Sequence, residues 1–157
     1  MIGFIKKNKV DILIIILFLV LPFIFFKEAF HLYSVIQGAG DTTGYNMPFQ
    51  YLTSLALKDG GFPFWNSHIF SGAPLFANPQ AGVLYPITLL FGQIFPFVVS
   101  FNLSLLLHYS LAGIFVYLFL GEYKLNKIAR FSAGLVFMFS GVMITHRGHP
   151  GMIYTII

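Results

Sequence analysis

The sequence predicts an all-α, polytopic membrane protein, with about three transmembrane helices and a helical loop on the outer face. Three observations predict it. The side chains are 57% hydrophobic and only 9% charged, with a mean hydropathy of +0.82. Soluble domains carry about 25% charged residues, so a soluble fold of this size could not cover so much apolar surface, and the solvent must be largely lipid. Apolar blocks of spanning or near-spanning length recur along the chain. Basic residues gather at two places that fix an orientation.

The N-terminal run MIGFIKKNKVDILIIILFLVLPFIFF has a basic start and an apolar core. A signal peptide reads similarly, but Phe25, Phe26, Lys27 and Glu28 offer no small-residue cleavage site. The run is therefore expected to remain as a first membrane helix over residues 10–26. Its 17 residues rise about 25 Å, slightly short of a ~30 Å hydrocarbon core. Pro22 kinks this helix or marks its outer end. The next apolar blocks are Val83–Phe95, Phe97–Leu120 and Phe131–Thr145, the last extendable back to Ile128. Phe97–Leu120, at 24 residues, is long enough to span with some tilt.

Lys6, Lys7 and Lys9 precede the first block, and Lys124, Lys127 and Arg130 follow Leu120. Cytoplasmic loops are enriched in such residues. Both clusters on one side require an even number of crossings between them, supplied by residues 10–26 and 97–120. Residues 27–96 then form an outer loop. Val83–Phe95, broken by Pro86, Gly92 and Pro96, lies along the membrane rather than crossing it. Residues 121–130 are cytoplasmic, 128–145 form a third helix, and 146–151 return outside. The N-terminus is cytoplasmic, and an apolar run restarts at 152–157. That final run leads us to expect a piece of a longer polytopic protein. The chain has no cysteine, so no disulfide or thiolate metal site can form. The net charge of +4 is scattered, without the basic stripe and interleaved aromatics that nucleic acid needs. No Walker loop, Rossmann glycine pattern or His-Glu zinc motif occurs.

The stretch Gly40–Pro86 is aromatic and carries only Asp41, Lys58 and Asp59 as charged residues. Asn46 is placed to cap a helix with Pro48 at an early position, and Gly60 and Gly61 to end it. Phe49, Leu52, Leu55 and Ala56 fall on one face, as expected of a helix lying on a membrane. Asp41 precedes it between Gly40 and Gly44, where glycines let a ligand approach. Trp65, Asn66, His68, Asn78 and Gln80 follow. Rings and amides together suit a sugar, whose apolar face stacks while its hydroxyls bond. The same residues also suit an interfacial aromatic belt with turn-forming Asn and Pro.

The sequence order carries a resemblance. Gly40–Asp41 is followed by Y-x-x-P-F at Tyr45–Phe49, P-x-W-N at Pro63–Asn66 and F-S-G-x-P at Phe70–Pro74. Then come A-N-P-Q at Ala77–Gln80, Tyr85–Pro86, LLLHYSLAG at Leu105–Gly113 and FSGVMITHRGHP at Phe139–Pro150. The series resembles the N-terminal region of the YfhO family of bacterial membrane proteins and covers nearly the whole chain after about residue 35. The resemblance implies a C-type glycosyltransferase-like fold in the bacterial cytoplasmic membrane. It implies a polyprenyl-phosphate sugar as donor and a cell-envelope glycopolymer, such as teichoic acid, as acceptor on the outer face. That fold carries an essential acid soon after the first span, a place that Asp41 occupies. Wider relatives have adjacent paired acids, whereas Thr42 and Thr43 follow Asp41. Family members are several times longer, so much of such a site is expected to lie outside this sequence.

An acceptor hydroxyl is a poor nucleophile, and a carboxylate within reach can take its proton. The same carboxylate could instead hold a divalent cation on the leaving phosphate. Asp41 suits either role, and it also suits a turn residue bonding its own backbone. Arg147, flanked by His146 and His149, could hold the lipid phosphate through two parallel hydrogen bonds, or snorkel to head groups. His108, mid-way along Phe97–Leu120, is expected to face the interior and bond a neighbouring helix. Against a lipid-linked sugar transferase stand a transporter or flippase for the same lipid and a non-catalytic membrane fragment. A transporter would prefer charges buried along a path through the spans, which are nearly free of charge.

Overall fold

Apolar runs bounded by polar caps give mostly helical structure. The computed structural model describes residues 9–27, 35–36 and 40–157. The expected basic pair Lys6–Lys7 falls outside the described residues, as does the loop immediately after the first helix. Helix α1 is Lys9–Phe25, with Pro22 inside it. Its buried positions Asp11, Ile14, Phe18 and Pro22 form one narrow seam, at the three-to-four-residue spacing of a single helix face. The remaining surface stays apolar and exposed, including Ile12, Leu13, Ile16 and Val20.

A π-helical turn, Thr42–Asn46, runs into α2, Met47–Lys58. Asp59 closes α2, and Gly60 follows in the left-handed region at φ 75°. A two-stranded antiparallel sheet pairs β1, Trp65–Asn66, with β2, Ala73–Pro74, in the register Trp65↔Pro74. A single 3₁₀ turn, Pro79–Ala81, leads to α3, Pro86–Ile94. At 9 residues, α3 rises only about 13 Å. Helix α4, Phe97–Glu122, is 26 residues long. Helix α5 is Lys127–Met138, capped by Asn126, whose carboxamide oxygen accepts from Ala129 N.

The stretch expected as one third helix is interrupted. After Phe139 the backbone of Ser140 turns extended, and its hydroxyl caps α6, Gly141–Thr145. A 3₁₀ turn, His146–Gly148, follows, and then α7, Pro150–Ile156. Serine competes with the helix by bonding nearby backbone, which favours a restart over continuation. By length and composition alone, α4 and the stretch Lys127–Gly148 are long and apolar enough to cross a membrane.

The core sits where α1, α4 and α5 meet. Phe18 is fully buried there. A Cβ at Gly113 would lie 2.6 Å from the Phe18 ring, and one at Gly134 2.7 Å from it. The missing side chains on α4 and α5 thus make the space that the Phe18 ring fills. Below it, Asp11 accepts a hydrogen bond from the Tyr117 hydroxyl and pairs with Lys127 Nζ at 2.9 Å. The Arg130 guanidinium lies 3.9 Å over the Tyr117 ring, and its Nε donates to Tyr117 O.

One expectation about α2 changes. Asn46 does not cap it, because its backbone is already helical (φ −62°, ψ −48°) and its side chain makes no cap bond. The buried face of α2 is polar, with Gln50, Thr53 and Ser54 inside. Phe49 and Leu52 are half-buried against Leu75, Ala81 and Val83, while Tyr51 and Leu55 point out. Thr53 donates to Phe49 O and Ala81 O, and Ser54 to Gly92 O. The partners for these hydroxyls lie on neighbouring backbone, and this directs the polar face inward.

Candidate functional site

Asp41 stands at the first helical position after Gly40, whose φ of 83° turns the chain. The turn that follows is docked on the segment between α6 and α7. The Thr42 hydroxyl donates to Gly148 O at 2.9 Å. Asn46 Nδ2 donates to Gly148 O at 3.3 Å and to Asp41 O at 3.1 Å. Asn46, read from sequence as a cap, is instead the strut between the two segments. The docking brings Asp41 Oδ2 to 3.1 Å from His149 Nε2. An ionised carboxylate only accepts, so Nε2 carries the proton and donates it. His149 Nδ1 is buried with no hydrogen-bond partner among the described residues.

The pair lies near the surface, with side chains 75% exposed for Asp41 and 43% for His149. Its contribution to stability is therefore about 0–1 kcal/mol. What it supplies is a carboxylate held by an imidazole that itself lines a cleft of about 290 Å³, together with Asn46, Pro79, Gln80, Gly151, Met152 and Thr155. Pro79 also borders a neighbouring cleft of about 370 Å³, where Tyr45, Phe49 and Phe70 stand with the amides Asn66 and Asn78. Asn78 caps the turn at Pro79 by accepting from Gln80 N at 3.0 Å, and donates to the Tyr45 hydroxyl at 3.4 Å.

The structure brings together His149 and Gln80 at the first cleft, and Asn66 and Asn78 at the second. The other expected site residues stand apart from these walls. Trp65 is exposed and covers Gly72, where a Cβ would meet its ring at 2.6 Å. His68 is exposed, and its backbone N–H donates to Asn66 Oδ1 at 2.9 Å. His146 is turned back on its own helix, with Nδ1 2.9 Å from Val142 O and its ring 6.0 Å from that of His149. Arg147 is exposed on the same turn. Among the described residues no group of three or more His, Cys, Asp or Glu could hold a metal ion. A divalent cation at Asp41 would need most of its ligands from a bound phosphate and water.

A second polar cluster joins Ser104 and Tyr154 to Tyr85 and His108, of which only the last two were named from sequence. His108 is 1% exposed inside the bundle, as expected, and its Nδ1 lies 2.6 Å from Ser104 O. A carbonyl only accepts, so Nδ1 bears a proton, and in the neutral ring Nε2 accepts from the Tyr85 hydroxyl. Burial pushes the Tyr85 phenol above its ordinary pKa. Tyr154 stacks on Tyr85, with centroids 4.6 Å apart and planes 3° from parallel, and its hydroxyl accepts from Ser104 Oγ at 3.0 Å. This cluster fixes α7 against α4, and with it His149 at the start of α7. Tyr85–Pro86 and His108 were each visible in the sequence, but their pairing was not. Compared with protein-family models, curated proteins and solved structures, the chain matches none.

Proposed function

We propose that this chain forms part of a membrane glycosyltransferase that moves a sugar from a polyprenyl-phosphate donor to a cell-envelope acceptor on the outer face of the bacterial membrane. The carrying observation is the Asp41–His149 pair at 3.1 Å. It joins residues 108 positions apart at a cleft with amide and hydroxyl walls. The motif series from Gly40 to Pro150, which resembles the YfhO family, supplies the substrate class. A lipid setting is supported by the inversion of polarity. Asp11, Gln50, Asn102, His108 and Arg130 lie inside, while Leu13, Val20, Phe115, Phe119 and Val136 lie outside. Lipid rewards that arrangement, since polar groups in hydrocarbon must find partners within the protein.

In this reading the acceptor oxygen attacks the anomeric carbon as the bond from that carbon to the phosphate oxygen breaks. The acceptor proton passes to Asp41, and polyprenyl phosphate leaves. The imidazolyl N–H of His149 aims the carboxylate and limits its rotation. Asn66 and Asn78, with Tyr45, Phe49 and Phe70, give the neighbouring cleft rings for stacking and amides for sugar hydroxyls. Gln80, His146 and Arg147 are left for the phosphate end. Trp65 and His68 would meet the substrate only from the hairpin beside the second cleft.

The runner-up is a carrier of the same lipid that performs no chemistry. It draws on the polar residues buried along α4, namely Ser100, Asn102, Ser104 and His108. Asp41→Asn in the full gene separates the two when complementation is scored by envelope sugar content. We expect loss of the sugar at normal protein abundance. Normal sugar content would remove Asp41 from the chemistry.

A further inference from the structure

We propose that the junction of α2, α3 and α4 holds a single ordered water molecule, which fastens the two outer-loop helices to the long helix α4. The site is a chamber of about 10 Å³, lined by Gln50 and Ser54 of α2, Thr88 and Gly92 of α3, and Ser100 and Ser104 of α4, with the rings of Phe97 and Phe101 completing the wall. One water needs roughly 10–15 Å³ of such space and two to four polar partners.

The chemistry of the walls selects the occupant. Gln50 is only 3% exposed, and its side-chain amide makes no hydrogen bond among the described residues. The amide keeps only slight exposure, so a partner enclosed in the chamber would satisfy it where open solvent barely reaches. Thr88 Oγ1 is wholly buried; it lies beside the Tyr154 hydroxyl but has no hydrogen bond of good geometry among the described residues. The three serine hydroxyls have already committed their protons. Ser54 donates to Gly92 O, Ser100 to Phe97 O and Ser104 to the Tyr154 hydroxyl. Their oxygens retain lone pairs, so the chamber offers acceptors on its α4 side and an amide donor on α2. Water both donates and accepts, and so satisfies both sets. A bare cation would leave the Gln50 N–H groups unmet, and all the walls are neutral, so its lost hydration would go uncompensated. Ser104 also ties the chamber to the Tyr154–Tyr85–His108 cluster.

The test is water-to-amide magnetisation transfer to the Gln50 side chain in the ¹⁵N-glutamine-labelled protein in lipid nanodiscs. The Gln50 signal is identified by its disappearance in Gln50→Met. The expected result is transfer from a long-lived water, with exchange much slower than at the exposed Gln93. In Gly92→Ala the new methyl would stand 3.2 Å from Ser54 Oγ, within the chamber. There the transfer is lost while the amide signal remains. Three results would overturn the proposal: a protected amide with no transfer from water, exchange as fast as that of Gln93, or a shift of the Gln50 signal when choline replaces sodium. They would mean a dry void, open solvent and a cation site respectively. None of these outcomes depends on sugar transfer.

Discussion

Replacing Asp11 by alanine removes the centre of an ionic cluster that joins α1, α4 and α5. The Asp11 side chain is 5% exposed and accepts from the Tyr117 hydroxyl and from Lys127 Nζ at 2.9 Å. Arg130, 3% exposed, stands over the Tyr117 ring. Removing one member of a buried pair costs roughly 3–5 kcal/mol, because the other charge stays buried without compensation. Lys127 keeps 32% of its side chain accessible and can swing its ammonium outward, which relieves part of that cost. Arg130 cannot move as easily, since a Cβ at Gly121 would lie 2.8 Å from its guanidinium. We therefore expect Asp11→Ala to cost about 3 kcal/mol, the low end of that range. Asp11→Asn, which keeps an oxygen for Tyr117, should cost about 1–2 kcal/mol. Reversible unfolding in mixed micelles reads both values. A cycle with Lys127→Met should return a coupling of about 0.5–3 kcal/mol. If Asp11→Ala fell within about 0.5 kcal/mol of the wild type, as surface substitutions do, the cluster would not be holding these helices together.

Three further changes follow from contacts of the fold. Gly134→Ala would place a methyl 2.7 Å from the Phe18 ring and 2.8 Å from Gly113 O, so it should cost about 1–3 kcal/mol by overpacking, seen as a lower Tm. Tyr85→Phe would strip His108 Nε2 of its donor at a buried site. We expect a loss of about 1–3 kcal/mol and earlier proteolysis within 150–157, because the cluster that fixes α7 is weakened. Gly72→Ala combines a φ of 116° with a methyl 2.6 Å from the Trp65 ring. Trp65 is the chain's one tryptophan, so a shift in its fluorescence emission reports the displaced ring, and an unchanged spectrum would contradict that contact.

The apolar run after Lys9 and the Pro48–Gly60 brackets made α1 and α2 legible, since caps and breakers are local signals. The orientation of α2 was not. Its periodicity placed Phe49, Leu52, Leu55 and Ala56 on one membrane-lying face, but gave no sign that Gln50, Thr53 and Ser54 would be the residues buried against the protein. Which face turns inward depends on the surrounding solvent and on acceptors such as Ala81 O and Gly92 O, which belong to other segments. The break at Phe139–Ser140 had a local signal in its serine–glycine pair, masked by uniform hydropathy. At the site, Asp41 and His149 were each named from sequence, but their pairing was not. It rests on Thr42 and Asn46 both bonding Gly148 O, a tertiary contact that no periodicity encodes. The same holds for Tyr85 and His108, whose spacing of 23 residues has meaning only once α3 folds back on α4.

Sugar transfer itself is the direct measurement. The full-length protein reconstituted in vesicles is supplied with a polyprenyl-phosphate sugar carrying a labelled sugar, with envelope glycopolymer as acceptor. Labelled glycopolymer is then followed for wild type, Asp41→Asn and His149→Gln. General-base catalysis is worth about 10²–10⁴-fold, so Asp41→Asn should fall by that factor while its Tm stays close to wild type, since the exposed pair contributes only about 0–1 kcal/mol. His149→Gln, which keeps a donor for the carboxylate, should fall less. Transfer by Asp41→Asn at the wild-type rate, or no transfer by the wild-type protein to any envelope glycopolymer, would contradict the account.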